Sequence, residues 1–403
     1  MASETLELRT GPRLATGGEA IARAPDGRVV FVAGGAPEER LSARVTKSEK
    51  RLLRAELLEV LEPSAMRQAP ECPHHDACGG CGLMHLAPEA GAEQVFEAGL
   101  DTLRRIGRLD PTDARLETRL PLGTRTRARL AVEPGRIAPR GRRSHRATPI
   151  ERCVALHPAL EAVRSRIESL SSDMRLPPRL ELRLATDGAK VAVELPEPLA
   201  ALAEVLRAAG IHVAGGPLEL RDRAGPAWWH PAVFQQASLD GNDALLAEVE
   251  RVLAARPSGS ALELYAGSGN FTRLLARRFE RVLAVELAGP AVRLAQRLEL
   301  PGVRWRTGSA AEVVGTEGGY DAVLVDPPRA GLETEVRAAL AGMEASLLVY
   351  VSCDVGTLAR DLRALVEGGW ALERVRGFDI YPRSPHMEWV VTLGRPERER
   401  RGQ

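Results

Sequence analysis

Residues 260–286 read SALELYAGSGNFTRLLARRFERVLAVE, and this stretch decides the fold of the C-terminal half of the chain. The apolar run ALELY ends in a glycine-rich turn, Gly267-Ser-Gly269, and the helical segment FTRLLARRF leads to a second apolar run, RVLAVEL. Continuous apolar runs that alternate with helical segments are typical of parallel strands covered by helices on both faces. The stretch therefore predicts a doubly wound α/β domain whose ligand lies beyond the carboxyl ends of the strands.

The pattern on either side of this stretch predicts the domain organisation. The apolar runs DAVLVD, SLLVYVS and VVTL continue the α/β domain downstream. Residues 4–62 alternate short apolar runs with Gly and Pro turns, which predicts a small antiparallel, OB-like β-barrel. Between them, strand-like runs such as RARLAVE and KVAVEL mix with helical segments and predict an α+β region. We expect a barrel over 1–66, a central α+β domain over 67–230 and the α/β domain over 231–403.

Composition excludes a membrane protein and permits an RNA partner. No apolar stretch approaches the roughly 20 residues of a membrane helix, and the N-terminus lacks the features of a signal peptide. We therefore expect a cytoplasmic protein. The net charge is +1, but arginines cluster at 51–54, 125–129 and 140–146. Guanidinium groups bind phosphate oxygens in a planar fork, so three runs favour a polyanion, although a solvated surface explains any one of them equally well.

The glycine-rich turn is the candidate cofactor site. Glycines let the backbone turn sharply and approach a ligand closely. The third glycine of the dinucleotide fingerprint is missing, which disfavours NAD, while Glu286 ends the next strand and can accept hydrogen bonds from ribose hydroxyls. A G-x-G turn with an acidic second strand end resembles a class I S-adenosylmethionine site. In that fold, residues 308–312 lie where the adenine is contacted.

Three further groups follow strand-like runs and are expected on the same face as the turn. Asp326 begins the run DPPRAGL, Cys353 follows SLLVYVS, and the segment DIYPRSPHMEWVV contains His386 and Glu388. The runs D-P-P-R-x-G-L, V-S-C with T-L-A-R-D-L, and D-x-x-P…H-x-E resemble the RNA uracil-C5 methyltransferases. Within that family the chain is similar, over nearly its whole length, to the iron–sulfur-containing branch typified by the bacterial 23S rRNA enzymes.

The resemblance implies a mechanism that explains these residue types. Carbon 5 of uracil is a poor nucleophile until a thiolate adds at carbon 6, so covalent catalysis divides one difficult step into easier ones. By the resemblance, Cys353 is the nucleophile, Glu388 is the base that removes the carbon 5 proton, and Asp326 hydrogen-bonds the target base. Arg329 holds a backbone phosphate or an acidic neighbour. The target base leaves its stack to reach the thiolate.

The resemblance extends to the cofactor contacts, with departures. VFQQAS resembles the family's F-Q-V-N segment, so Gln235 contacts the cofactor, while Ala237 stands where the family has asparagine. Asp354-Val355 replace the usual Asn-Pro after the nucleophile, which weakens claims about substrate detail and activity level. The glycine-rich turn and the family resemblance together predict these S-adenosylmethionine contacts: Gln235, Tyr265, Gly267, Gly269, Asn270, Glu286 and Asp326.

The other four cysteines form the candidate metal site. Cys72-x5-Cys78-Gly-Gly-Cys81 is followed much later by Cys153. Four thiolates can hold a cubane cluster or a zinc ion, and spacing alone does not choose between them. The family pattern C-x5-C-G-G-C with a distant fourth cysteine implies a 4Fe–4S cluster. The N-terminal barrel resembles a TRAM domain, in which RNA contact would rest on arginine and backbone because aromatic residues are few.

Other functions remain as alternatives. A cytosine-C5 RNA methyltransferase shares the thiolate strategy but leaves Glu388 without a purpose. A radical enzyme with a TRAM domain would need the spacing C-x3-C-x2-C, which is absent. A non-catalytic RNA-binding relative stays open because of Ala237 and Val355. The cluster and the TRAM resemblance favour ribosomal RNA over transfer RNA, and we expect a monomer.

Overall fold

The computed structural model describes residues 4–142, 144–171, 180–196, 199–213, 217–254, 259–315 and 319–395. Its N-terminal part is a closed barrel in the order β1-β2-β3-β5-β4. The strands are β1 (Thr5–Leu14), β2 (Ala20–Arg23), β3 (Val29–Ala33), β4 (Arg40–Ser48) and β5 (Leu52–Glu62). The predicted small barrel is confirmed, but β3 pairs with β5 in parallel. The other neighbouring pairs are antiparallel as expected, and the one parallel pair arises because an odd number of strands cannot close with every neighbouring pair antiparallel.

The middle of the chain is an α+β region, as predicted. A five-stranded sheet has the order β11-β10-β9-β7-β8, and β12 and β13 form a separate hairpin. Apolar side chains of α2 and α3, including Leu160 and Leu202, pack against Leu182 of the sheet. The elements are α1 (Pro88–Arg105), β6 (Ala114–Arg119), β7 (Arg127–Glu133), β8 (Arg136–Ala138), α2 (Pro158–Ser171), β9 (Leu180–Thr186), β10 (Val191–Glu194), α3 (Ala200–Ala208), β11 (His212–Val213), β12 (Leu218–Asp222) and β13 (Gly225–Trp229).

The C-terminal part is a doubly wound α/β domain, which confirms the prediction made from residues 260–286. Its sheet has the order β16-β15-β14-β17-β18-β20-β19-β6, and β20 runs antiparallel to both neighbours. The elements are α4 (Leu239–Ala254), β14 (Ser260–Leu264), α5 (Thr272–Arg278), β15 (Arg281–Glu286), α6 (Gly289–Gln296), β16 (Val303–Thr307), α7 (Ala310–Val314), β17 (Ala322–Val325), α8 (Thr334–Gly342), β18 (Leu347–Ser352), α9 (Val355–Glu367), β19 (Ala371–Asp379) and β20 (Glu388–Gly394).

Two elements that lie within the predicted central domain, 67–230, pack with the C-terminal α/β domain instead. Strand β6 pairs in parallel with β19 and forms the edge of the large sheet. Helix α1 packs on the same sheet, where the Phe96 and Trp389 rings stack with centroids 5.5 Å apart. The domain boundaries expected from the sequence, 67–230 and 231–403, stay a prediction. In the described part of the chain, no helix is both long and apolar enough to cross a membrane.

Candidate active site

A cavity of about 710 Å³ opens at the carboxyl ends of β14, β15, β17 and β18. Parallel strands present these ends at one edge of a sheet, which is where α/β domains bind ligands. Gly269 is not among the lining residues, because it packs against Leu298 and Trp305 beneath the turn. The cavity is lined by the remaining residues that the sequence assigned to catalysis or the cofactor loop: Gln235, Tyr265, Gly267, Asn270, Glu286, Asp326, Cys353 and Glu388. From the predicted adenine segment 308–312, residues 308–310 line it as well.

Cys353 follows the last residue of β18 and is half-buried. Burial raises the pKa of its thiol to about 11, and the negative charge of Glu388 adds to that increase. Arg329 opposes it, because its guanidinium brings a positive charge to the sulfur. A thiolate at this position therefore depends on Arg329 as its cationic partner.

The residues after Cys353 start helix α9, and this accounts for one departure from the family pattern. Asp354 is the N-cap, and its Oδ1 accepts a hydrogen bond from the backbone N–H of Thr357 at 2.9 Å. Aspartate and asparagine serve about equally well as N-caps. Val355 is the first helical residue, a position where proline is favoured but not required. The Asp354-Val355 pair therefore preserves the local geometry that an Asn-Pro pair would give.

Glu388 is the first residue of β20 and is only 2% exposed. Its Oε1 accepts a hydrogen bond from the Tyr381 hydroxyl at 2.9 Å. Its Oε2 is buried and has no hydrogen-bond partner among the described residues. Burial raises the pKa of this carboxyl to about 8, with a further contribution from the charge of Asp326. Glu388 is therefore a carboxylate that can take up a proton near neutral pH.

The floor of the cavity is acidic. Burial raises the pKa of Asp326 to about 7, and the charge of Glu286 adds to it. Glu286 accepts backbone hydrogen bonds from Gly267 at 2.9 Å and Ala288 at 2.7 Å, which leaves lone pairs on both oxygens for ribose hydroxyls. Glu263 lies beneath, and burial raises the pKa of its carboxyl to about 8. These carboxyl groups suit a bound cation such as a sulfonium.

The sequence analysis missed Gln236, which lines the cavity, and Glu263, which is buried beneath it. Glu263 was visible only as a charged residue inside the apolar run ALELY. Gln236 is 8% exposed, lines the cavity and has a buried Oε1 without a hydrogen-bond partner in the described part of the chain. Its neighbour Gln235 instead accepts a long hydrogen bond from Arg127 at 3.4 Å. The sequence feature that could have indicated Gln236 is the second glutamine of VFQQAS.

The side chains of Asn270 and Tyr265 are occupied by protein contacts. The Asn270 amide donates to Asn242 Oδ1 at 2.8 Å, and its Oδ1 accepts from Asn242 and Arg273. Tyr265 has a φ of 62° and donates from its hydroxyl to Glu333 Oε2 at 3.0 Å. Both residues line the cavity while holding the turn to the surrounding helices and loops.

The four remaining cysteines lie near one another. None of them forms a disulfide, and all are half-buried. Burial raises the pKa of the Cys81 thiol to about 12, and the thiols of Cys153, Cys78 and Cys72 each add to the increase. Among the described residues, no group of three or more His, Cys, Asp or Glu side chains is arranged to hold a metal ion. The chain thus supplies a set of four neighbouring thiols without ready-made ligand geometry for one ion.

Residues 71–86 contain Cys72, Cys78 and Cys81 and are here called the cysteine segment. This segment also supports the loop that connects β19 to β20. The backbone N–H of Leu83 donates to the Arg383 carbonyl at 2.8 Å, and the Arg383 side chain donates to the Leu86 carbonyl at 3.1 Å. Arg383 also pairs with Glu71. This loop also carries Tyr381, so the cysteine segment contacts the same loop that supplies the hydrogen-bond donor to Glu388.

Comparison with protein families and relatives agrees with this geometry. The model of the tRNA (Uracil-5-)-methyltransferase family matches residues 222–300 and 312–396, and the TRAM domain model matches residues 12–58. An RNA methyltransferase of uncharacterised specificity from Streptomyces avermitilis is 32% identical over 97% of this chain and 98% of its own length. The 23S rRNA (uracil(1939)-C(5))-methyltransferase RlmD of Alkalilimnicola ehrlichii is 32% identical over 92% of each chain.

A solved structure shows the same fold. The tRNA (uracil-54, C5)-methyltransferase of Pyrococcus abyssi, in complex with S-adenosyl-L-homocysteine, superposes with a TM-score of 0.72 at 20% identity, over 96% of this chain and all of that one. This confirms the class I methyltransferase fold and the N-terminal barrel as a TRAM domain. On the identity and coverage of its relatives, the chain belongs to the S-adenosylmethionine-dependent RNA uracil-C5 methyltransferases.

Proposed function

We propose that this enzyme methylates carbon 5 of a uridine in 23S rRNA through a covalent adduct between Cys353 and carbon 6 of the base. The observation that carries the proposal is the convergence of Cys353, Glu388 and Asp326 on the cavity that also contains Glu286. Relatives at 32% identity that are named for 23S rRNA support the ribosomal substrate. The tRNA enzyme shares only 20% identity, so tRNA is the alternative.

The residues of the cavity fit S-adenosylmethionine. A Cβ at Gly267 would meet no atom within 4 Å, so the turn leaves open space toward the cavity. Glu286 retains lone pairs for the ribose, and the carboxylate of Asp326 offsets a positive charge. When bound, the cofactor would supply an electrophilic methyl group and would leave as S-adenosylhomocysteine, whose sulfur keeps the electron pair of the broken sulfur–methyl bond.

The side chains divide the reaction between them. The sulfur of Cys353 forms a bond to carbon 6 while the carbon 5–carbon 6 π pair moves toward carbon 5, which then takes the methyl group. Arg329 stabilises the thiolate before attack. Glu388, held by Tyr381, then removes the carbon 5 proton, the double bond re-forms, and the carbon–sulfur bond breaks to release the Cys353 thiolate. Asp326 hydrogen-bonds the target base at the cavity floor.

We also propose that Cys72, Cys78, Cys81 and Cys153 hold a 4Fe–4S cluster. Cys81 interacts electrostatically with the other three thiols, while no group among the described residues is arranged for a single metal ion. The spacing Cys72-x5-Cys78-Gly-Gly-Cys81 with a distant Cys153 matches the family pattern that implies a cluster, and this match is what supports the assignment. The role of the cluster here would be structural, linking the cysteine segment to the Cys153 segment.

Trapping with 5-fluorouridine tests the function. Fluorine at carbon 5 blocks proton removal, so purified enzyme, cofactor and a 5-fluorouridine-containing 23S rRNA fragment should give a covalent complex. The complex should be lost in Cys353→Ala. It should be kept in the control variant Glu344→Gln, which changes an exposed residue. Trapping of tRNA alone would overturn the ribosomal assignment. Failure with both RNAs, in a protein that binds S-adenosylhomocysteine, would support the non-catalytic RNA-binding alternative.

A further inference from the structure

The T-L-A-R-D-L motif at 357–362 lies outside the cavity, and its aspartate is at the centre of a buried hydrogen-bond network. Asp361 is fully buried. Its Oδ2 accepts from the Leu332 N–H and the Tyr350 hydroxyl, each at 2.8 Å. Its Oδ1 accepts from Arg337 at 2.9 Å and from Arg360 at 2.8 Å. A buried carboxylate with four donors is strongly fixed, because losing any donor would leave charge unsatisfied.

The same face of α9 binds the rest of the loop after Asp326. Thr357 Oγ1 donates to the Arg329 carbonyl at 3.1 Å, and the Arg360 guanidinium donates to the Ala330 carbonyl at 2.9 Å. Gly331 has a φ of 74°, and a Cβ there would lie 2.5 Å from Oδ2 of Asp361. Successive residues of the loop are therefore held by successive turns of one helix.

This helix connects the loop to the nucleophile. α9 begins at Val355, two residues after Cys353, and the loop that it holds carries Arg329, which lines the same cavity as Cys353 and whose positive charge acts on its thiol. The position of Arg329 relative to the sulfur therefore depends on the hydrogen bonds between α9 and the loop. Asp361 accepts from the Leu332 N–H and also fixes Arg337 and Arg360, whose guanidinium groups both donate to the Leu332 carbonyl.

We propose that Asp361 is a positioning residue, which holds the loop 326–332 so that the Arg329 guanidinium stays at the Cys353 sulfur. This inference rests on the proposed role of Cys353 as nucleophile. It extends the mechanism to the T-L-A-R-D-L motif, for which the cavity alone gives no purpose.

The positioning role predicts a distinctive direction of change for the pKa of the Cys353 thiol. The charged groups that act on the Cys353 thiol are Glu388 and Asp326, which raise its pKa, and Arg329, which lowers it. Tyr381 is also close to the sulfur and keeps its proton, because burial raises its own pKa. Neutralising Asp361 removes a negative charge, which by itself would make thiolate formation easier. Displacing Arg329 has the opposite effect, so the direction of the change separates positioning from simple charge.

Alkylation of Cys353 tests the proposal. The rate of carboxamidomethylation by iodoacetamide would be followed at the Cys353 peptide by mass spectrometry between pH 7 and 10. In Asp361→Asn, we expect the rate at pH 8 to fall about tenfold, corresponding to an upward shift of about one pH unit. Thr357→Val, which removes only the hydroxyl, should shift the profile less but in the same direction. Glu367→Gln, at an exposed position of the same helix, should leave it unchanged.

The outcomes separate this inference from the proposed function. A rate that is unchanged or raised in both Asp361→Asn and Thr357→Val overturns the positioning role. If Asp361→Asn does not fold, the Thr357→Val profile decides. A wild-type enzyme that fails to trap 5-fluorouridine RNA overturns the proposed function, while the alkylation profiles still measure whether Asp361 controls Arg329. Normal trapping by the wild type, with unshifted profiles in both variants, overturns the inference alone.

Discussion

The Tyr381 hydroxyl donates a 2.9 Å hydrogen bond to Oε1 of Glu388, while Oε2 of the same carboxyl has no partner among the described residues. One oxygen is therefore anchored and the other is available. The backbone is fixed as well, because Glu388 pairs with Phe378 in the sheet. A base oriented by a third group in this way is the arrangement that covalent catalysis requires for its second half.

Replacing Glu388 by glutamine should stop the reaction after methyl transfer. The amide oxygen of Glu388→Gln can still accept the Tyr381 hydrogen bond, but the side chain cannot take up the carbon 5 proton. We expect turnover to fall at least about 100-fold, with a methylated covalent adduct accumulating on ordinary uridine RNA. Denaturing electrophoresis and intact mass would detect the adduct. Wild-type turnover in this variant would show that another group is the base.

The pH dependence should identify the same carboxyl. The proposed base Glu388 has to be ionised to take up a proton, and burial raises its pKa to about 8, so wild-type turnover should rise as the pH increases from 6 to about 8. Hydrogen bonding from Tyr381 favours the anion and lowers this pKa. Tyr381→Phe should therefore move the acidic limb of the profile to higher pH. A profile that does not move, measured by methyl transfer under saturating substrates, would contradict the role of Tyr381.

The catalytic face could be predicted from sequence because its geometry follows from local rules. Asp326 and Cys353 each come directly after a buried parallel strand, and the carboxyl ends of such strands share one edge. Glu388 begins an antiparallel strand, so its start reaches that same edge. The sequence motifs placed these residues near one another without any knowledge of tertiary packing.

The remaining features depend on contacts between distant parts of the chain. Asn270 faces the cavity as expected, but its amide is paired with Asn242, which no local pattern indicates. The choice between Gln235 and Gln236 depends on how one loop turns toward Arg127. Strand β6 reads as part of the central region by position, yet it pairs with β19 more than 250 residues later. Such long-range pairing is decided by packing, which periodicity does not specify.

Helix α1 should be sensitive to the size of residue 99. An added Cβ at Gly99 would overlap the Trp389 ring, and Trp389 is the residue after Glu388. Gly99→Ala should therefore lower the free energy of unfolding by about 1–3 kcal/mol, because the core must shift to accept the methyl group. Gly342→Ala is the matched control, since a Cβ there meets nothing within 4 Å. Equal urea midpoints for the two variants would refute the tight contact.

The cysteine set should bind iron only when all four thiols are present. Enzyme purified without oxygen should contain about four iron atoms per chain and absorb visible light. Cys153→Ser should lose both signals, because Cys153 is the ligand that joins the distant segment to Cys72, Cys78 and Cys81. Cys353→Ser is the control and should keep the iron, since it changes a thiol in the separate cavity. Stoichiometric zinc in place of iron, in protein that still methylates RNA, would mean that the four thiols surround a single ion instead. In that case the structural link between the cysteine segment and the Tyr381 loop would stand, with a different metal holding it.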